Sequence, residues 1–368
     1  MNFECNRKEL KEKLELVSGI IREKSPKDGL SSVLIRSELP DKLYLYGTNM
    51  DTNVLVVTHQ CRVDEEFKFL VPAKLFSNIV NCLKTETVSM ELENKLLTIT
   101  SDKTVYHIST QDQNVYPMPE WDRPNGGLVV NFDAFKKAIN SVILFISDNG
   151  YRLILSGILL ELKENELRLV STDGNRLMVY TISNDNYRLL DETNESRFIV
   201  PKSAMETVVN LDTIDMLIRF SNSKIIFETE DAWITSSLIA GNYPQYEQVI
   251  PTEFVASATV DRNELKNAIQ RVIPISKTAS NSIKLTLDGN KLMLSSRSQA
   301  GIVLDEIPAE TNGSNFSIMF DAVYVSEFLS LGNWPVRMEF TGKDSVAKFT
   351  STVDTNIVYV VMPLVEEG

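Results

Sequence analysis

The chain repeats itself three times. That restricts its fold more than any other feature, because units that cannot bury their apolar faces alone must stack on copies of themselves. One recurring segment is FECNRKELKEKLELVSGII from Phe3, VVNFDAFKKAINSVILFIS from Val129 and ATVDRNELKNAIQRVIPIS from Ala258. Each starts like a strand, passes a polar residue suited to helix capping, and then places apolar residues at helical spacing. Those residues are Leu10, Leu14, Val17 and Ile21; Phe135, Ile139, Val142 and Ile146; and Leu265, Ile269 and Val272. A second segment, strand into helix, recurs as FLVPAKLFSNIVNCL (69–83), FIVPKSAMETVVNL (198–211) and SIMFDAVYVSEFLSL (317–331). Proline at the entrance of the first two suits a residue whose N–H would find no helical partner, and Asp321 takes that place in the third.

Alternating strands follow each helix, with hairpins expected at residues 42–57, 166–180 and 291–307. The middle hairpin carries Thr-Asp-Gly-Asn-Arg at its crown, and Asp173-Gly174 reads as a two-residue turn. Prolines around Tyr116-Pro117-Met118-Pro119 and Tyr243-Pro244 interrupt the strands and mark domain limits. The expectation is an α+β chain of three tandem domains, 1–124, 125–252 and 253–368, each a doubled strand-helix-strands unit.

Few chemistries fit the remaining residues. His59 and His107 are the only histidines, and neither has a metal-ligand spacing or a nucleophile motif beside it. No glycine-rich phosphate loop occurs, and the turn accounts for Asp173 without catalysis. Cys5, Cys61 and Cys82 are odd in number and widely spaced, which predicts buried thiols and neither a disulfide framework nor a zinc site. No catalytic residue, metal or cofactor is expected. The charged start MNFECNRKELKEK lacks the apolar core of a signal peptide, and runs such as 142–146 and 357–365 are too short to span a bilayer, so a cytoplasmic protein without membrane contact is expected.

A net charge of −13 argues against simple adhesion to nucleic acid. The charge is unevenly placed, however: the six expected helices sum to +6, leaving −19 on the remainder. Arg22, Lys24, Lys74, Lys202, Lys266 and Arg271 would meet phosphates if the helices lined one surface. The alternative, that these lysines and arginines are the ordinary solvated faces of helices, stays open at this level.

Five stretches, STDGNRL (171–177), GNYPQYEQVIP (241–251), the VPAK and VPKS helix starts, and YVVMPL (359–364), occur in an order and spacing that resemble the bacterial DNA polymerase III beta subunit family, the beta sliding clamps, over essentially the whole chain. The resemblance implies three clamp domains per chain and two chains joined head to tail into a ring, with helices lining the hole and sheets outside. It implies a non-enzymatic protein that encircles duplex DNA without reading sequence and tethers the replicative polymerase and other replication and repair proteins. A clamp loader using ATP would open and close the ring. A ring that holds DNA by topology needs only weak phosphate contacts, so an acidic exterior does no harm.

Carried over by position, the family's pocket for short hydrophobic peptide motifs would comprise Arg152, Leu155, Thr172, Gly174, Asn175, Arg176, Leu177, Pro244, Val249, Val346, Val360, Met362, Pro363 and Leu364, with Tyr324 nearby. Aliphatic and Met side chains would form the cleft, and Arg152 and Arg176 would orient the peptide from its rim. Asn175 stands where many relatives have His, Gln248 where some have a basic residue, and the tail Val365-Glu366-Glu367-Gly368 would add acid beside the pocket. The family pattern also points to Lys24, Asn149, Lys74 and Lys202 for DNA, and to Tyr106 and Ile108 meeting Ile273 and Ile275 at the dimer seam. The competing reading is a divergent paralogue or a repeat scaffold that binds peptides without encircling DNA.

Overall fold

The computed structural model describes residues 1–23, 29–118, 123–124, 126–147, 150, 152–163, 166–190, 196–313 and 316–365. Six α-helices stand where the repeats place them: α1 (Arg7–Ser18), α2 (Ala73–Cys82), α3 (Phe132–Val142), α4 (Lys202–Val208), α5 (Arg262–Ser276) and α6 (Ala322–Ser330). Asn6, Asp261 and Asp321 cap α1, α5 and α6 by accepting from backbone N–H groups of the first turn. Asn131 does the same for α3, its Oδ1 accepting from Ala134 N at 3.0 Å. Pro72 and Pro201 occupy the cap positions of α2 and α4, one residue earlier than expected, and neither helix has a side-chain cap. Helix α1 ends three residues before Ile21, and α5 runs on through Pro274 to Ser276.

The chain divides into two compact units, residues 1–136, 185–193 and 200–239 in one and residues 137–184, 194–199 and 240–368 in the other. The first holds a nine-stranded sheet in the order Lys68–Pro72, Ser32–Glu38, Lys42–Thr48, Thr52–Thr58, Ala232–Ser237, Lys224–Glu228, Asp215–Phe220, Leu128–Asn131, Tyr187–Leu189. The second is built around a sheet of the same layout: Ser196–Pro201, Gly157–Lys163, Glu166–Thr172, Arg176–Ser183, Ile357–Val361, Ala347–Ser351, Val336–Phe340, Ala256–Val260, Glu310–Asn312. Each sheet is therefore shared by two consecutive repeats. The joins are antiparallel, Thr52 to Ser236 in the first and Arg176 to Val361 in the second, and each removes two strand edges that would otherwise be open.

A smaller sheet completes each unit. In the first unit the order is Cys61–Val63, Asn2–Asn6, Thr87–Glu93, Leu96–Ser101, Thr104–Ser109; in the second it is Gly301–Pro308, Lys291–Ser298, Ser282–Asp288, Phe316–Asp321. Among the described residues, the strands Thr104–Ser109 and Gly301–Pro308 each pair on one side only. Helices cover the inner faces with the apolar rows the sequence predicts, Leu10, Leu14 and Val17 of α1 and Leu265, Ile269 and Val272 of α5 all being buried. The approach of α1 is close enough that a Cβ on Gly47 would lie 2.6 Å from Val17 Cγ1, so that strand position has room for glycine alone.

The cysteines differ from expectation. Cys5 is buried, but Cys61 is half-buried and Cys82 exposed. Cys5 and Cys61 face each other in the antiparallel pairing of Asn2–Asn6 with Cys61–Val63, a proximity that sequence separation concealed.

Candidate peptide-binding site

The crown of the 166–183 hairpin is held by its own side chains. Thr172 pairs with Leu177, so four residues close the loop where two were expected. Only Gly174 takes a positive φ, +96°. Asp173 is there for its carboxylate: Oδ1 accepts from Asn175 N at 2.9 Å and Arg176 N at 3.1 Å, and Oδ2 from Arg176 Nε at 2.9 Å. Thr172 Oγ1 accepts from Gly174 N at 3.0 Å and donates to Arg176 O at 2.6 Å. Such Asx- and Thr-type bonds replace the ladder where the strands end.

Arg176 is not the rim donor the sequence suggested. Its side chain is 8% exposed and makes ion pairs with Asp173 and Glu327. The guanidinium lies 4.3 Å from the Tyr324 ring centre and 5.0 Å from that of Phe145. Burial disfavours its charge, yet the bond to Glu327 and the groups around it hold its pKa above the ordinary value. Beneath it, Tyr359 is wholly buried and stacks on Phe328 with ring centres 5.0 Å apart, and its hydroxyl donates to Tyr324 O at 3.1 Å. Burial pushes that hydroxyl well above its usual pKa of 10.0. Arg176 thus ties the crown to α6. Arg152 is the exposed arginine, with Nη1 3.0 Å from where a Cβ on Gly174 would sit.

Strand periodicity sorts the other residues. Side chains alternate between faces, so Leu177 lies on the face opposite Arg176. Leu177 pairs with Thr172 on one side and Val360 on the other, which sets the three in a row across the sheet. Leu177 and Val360 are 4% and 3% exposed and can serve only as a floor. On the same face Arg168 pairs with Glu161, and there the linker after Tyr243 is pinned. Tyr246 donates its hydroxyl to the Glu161 carboxylate, Arg168 Nη1 donates to Glu247 at 2.9 Å, and Lys163 pairs with Glu247. Burial first, then the Glu161 carboxylate, raises the Tyr246 pKa, so the hydroxyl keeps its proton. These anchors set Pro244 and Val249, both exposed, on the outer face beside the floor.

Beyond the sheet, Met362 N donates to Asn175 O at 2.9 Å and Leu364 N to Met319 O at 2.8 Å, which directs the segment Met362-Pro363-Leu364 across the crown. Met362 is 49% exposed. Ala347 pairs with Val361, so continuing that register brings half-buried Val346 opposite Met362. Asn175 Nδ2 reaches Tyr324 OH at 3.4 Å, and Gln248 is bonded to Gln245. Leu155 is buried in a short 3-10 turn whose carbonyl accepts from Ser147 N. The candidate residues therefore form one group on the Leu177 face (Thr172, Leu177, Val360, Pro244, Val249) and another around Arg176 and Tyr324. Glu327, 151 residues from Arg176, gave no sequence signal; Glu161, Arg168 and Tyr246 could have been found from strand alternation and the linker motif.

Other candidates divide similarly. Lys24, Asn149 and Glu366-Glu367-Gly368 lie outside the described residues. Lys74 is exposed and paired with Glu23, and Arg271 with Asp305 at 2.6 Å; Lys202 is half-buried at the start of α4, while Arg22 and Lys266 are exposed. The helix surfaces are not uniformly basic: Glu12, Glu15 and Glu206 line an open cleft of about 490 Å³ between α1 and α4. Tyr106 is half-buried, but Ile108 is 3% exposed, turned into the core of its own sheet, and Val105 is the exposed apolar residue of that strand. Ile273 and Ile275 are half-buried on α5, and exposed Ile302 and Leu304 of the adjoining edge strand were missed although they alternate in AGIVLDEI. Both histidines are engaged, His59 with Asp231 at 2.9 Å and His107 with Thr98 at 3.0 Å.

Repeated helix-and-sheet units fused through shared sheets define an α+β clamp of three similar domains. The chain belongs to the DNA polymerase III beta subunit family: its N-terminal domain matches residues 1–120, its central domain 129–245 and its C-terminal domain 247–365. The beta sliding clamp of Haemophilus influenzae is 26% identical over 99% of this chain and 100% of its own. The crystal structure of the DNA polymerase III beta subunit of Thermotoga maritima superposes with a TM-score of 0.92 at 25% identity, covering 99% of both chains. A Pseudomonas aeruginosa sliding clamp bound to griselimycin does so with a TM-score of 0.91 at 23% identity, also covering 99% of both. The protein is a DNA sliding clamp, a processivity factor of replication.

Proposed function

We propose that two copies of this chain join head to tail into a closed ring of six domains, with domain limits at 1–124, 125–252 and 253–368, and that the ring slides on duplex DNA in the cytoplasm without catalysing a reaction. The observation that carries the ring is the pair of half-open edges. Thr104–Ser109 offers Val105, 51% exposed, beside Tyr106, while Gly301–Pro308 offers Ile302 and Leu304, 61% and 70% exposed. An apolar edge left bare invites strand pairing, and two different edges on one chain pair heterologously, which closes when the rotation allows. Ile273 and Ile275 would flank that seam from α5. No helix among the described residues is long and apolar enough to cross a membrane.

Loose phosphate contact by Lys24, Lys74, Asn149, Lys202, Arg22, Lys266 and Arg271 suits sliding, because exposed ion pairs such as Lys74–Glu23 are worth little and exchange readily for phosphate. The acidic cleft between α1 and α4 keeps part of the helix surface from gripping DNA. The outer-face floor, Arg152 and Met362 would take a short hydrophobic motif from the polymerase or the clamp loader. Tethering then raises the local concentration of polymerase, so modest peptide affinity suffices for processivity.

Light scattering tests the ring first. A mass twice the chain's 41.5 kDa is expected, falling to the single-chain value for Leu304→Arg, with retention on closed circular DNA lost on linearisation. A wild-type monomer at every concentration would remove the ring.

A further inference from the structure

Two of the three cysteines are neighbours. Cys5 lies on the strand Asn2–Asn6 and Cys61 on the three-residue edge strand Cys61–Val63, and the antiparallel register sets them directly opposite each other. The hydrogen bonds around them fix the kind of pair. Asn6 N donates to Gln60 O at 2.8 Å and Asp64 N to Asn2 O at 3.3 Å, and both partnerships continue the register of Cys5 with Cys61. Hydrogen-bonded and non-hydrogen-bonded pairs alternate along an antiparallel ladder, so Asn6–Gln60 and Asn2–Asp64 are of the first kind and Cys5–Cys61 is of the second. The Cα atoms of such a pair stand about 4.5 Å apart with their side chains close together on one face. That spacing falls near the lower end of the range of about 4.4–6.8 Å that a disulfide spans.

The two thiols differ in access and in what holds them. Cys5 is 1% exposed, whereas Cys61 is half-buried and its Sγ donates to Asp41 O at 2.8 Å. With the Cys61 proton directed at that carbonyl, its sulfur is left as an acceptor for the Cys5 thiol, and that bond together with burial keeps Cys5 protonated. A small oxidant therefore meets Cys61 first and finds the second sulfur already against it. Cys82, exposed at the end of α2, takes no part in this pairing.

We propose that Cys5 and Cys61 form a reversible oxidation site, closing to a disulfide with hydrogen peroxide as the oxidant and opening again with a thiol. Cys61, as thiolate, attacks one peroxide oxygen; the O–O bond breaks, the departing hydroxide takes up a proton to leave as water, and Cys61 becomes a sulfenic acid. The Cys5 sulfur then attacks the Cys61 sulfur, the S–O bond breaks, and the departing hydroxide carries off the Cys5 proton as a second water. Two thiols are oxidised to one disulfide while one peroxide is reduced to two waters. A bridge at the edge of the favoured Cα range is more readily reduced than one near its middle, and the thiol pool of a cytoplasm keeps such a bond open by default. Closed, it fastens the edge strand Cys61–Val63 to the strand beside it.

Hydrogen peroxide added to the reduced full-length protein tests this, followed by alkylation of the remaining thiols in denaturant and mass spectrometry of the intact chain and its tryptic digest. Peptide 1–7 should appear joined to peptide 43–62, with Cys82 the only alkylated cysteine, and reduced glutathione should restore all three thiols. Cys82→Ser should give the same bridge. Cys61→Ser should leave Cys5 at least about tenfold less oxidised than in the wild type, because burial shields it once its partner is gone. Cys61 carried on to sulfinic acid beside a reduced Cys5, a bridge that includes Cys82, a bridge formed only after unfolding in urea, or one that reduced glutathione leaves closed would each overturn the proposal.

Discussion

Replacing Arg176 by alanine should weaken the fold as well as the peptide site, and the structure sets the size of the effect. The guanidinium is 8% exposed and bonded to two carboxylates, of which Asp173 is 18% and Glu327 35% exposed. Its loss leaves Asp173 with two backbone N–H donors, so that carboxylate stays satisfied. Glu327 can turn to water, which discounts the second bond. Charged hydrogen bonds of this kind contribute about 1.5–3 kcal/mol each and the stack on Tyr324 about 1 kcal/mol. A net destabilisation of about 3 kcal/mol follows, or roughly 6–12 °C for a unit of this size. Thermal unfolding followed by circular dichroism reads this directly, with Arg152→Ala as the contrast. Arg152 is exposed, so its removal should leave the midpoint unchanged and weaken binding of a clamp-binding peptide. An Arg176→Ala protein that melts with the wild type yet loses the peptide would refute the reasoning and restore Arg176 as a rim donor.

Two further outcomes follow from titratable groups. The bond from Lys163, helped by the charges of Lys163 and Arg168, holds the Glu247 carboxyl below its ordinary 4.5 against the opposing effect of burial. A depressed folded pKa contributes stability that is complete above about pH 4.5 and lost as pH falls through the lower folded value; Glu247→Gln should therefore flatten the acid limb of a stability profile, and an unchanged limb would count against the linker anchor. The Cys5 thiol is pushed well above its usual 9.0 by its hydrogen bond to Cys61 and by burial. At pH 8 a thiol-titrating reagent should modify exposed Cys82 first and Cys5 only on unfolding, checked by mass spectrometry of the digested protein.

The amino-acid sequence determined the elements and their repetition, because helical spacing, capping residues and strand alternation are local: the rows Leu10-Leu14-Val17 and Leu265-Ile269-Val272 and the caps Asn6 and Asp261 needed no knowledge of the fold. The motifs around Asp173, Tyr243 and Met362 were grouped by the family resemblance, not by any local pattern. What only the tertiary structure decided is which face and which partner each residue meets. The family resemblance set Arg176 at the rim, yet Glu327 and Phe145 enclose it from distant segments. Ile108 and Val105 lie three residues apart on one strand, and pairing register with the pleat sends the first into the core and the second to solvent. The domain limits read from prolines are local breaks, whereas sheet continuity depends on long-range pairing such as Thr52 with Ser236 and Arg176 with Val361, which no local pattern encodes.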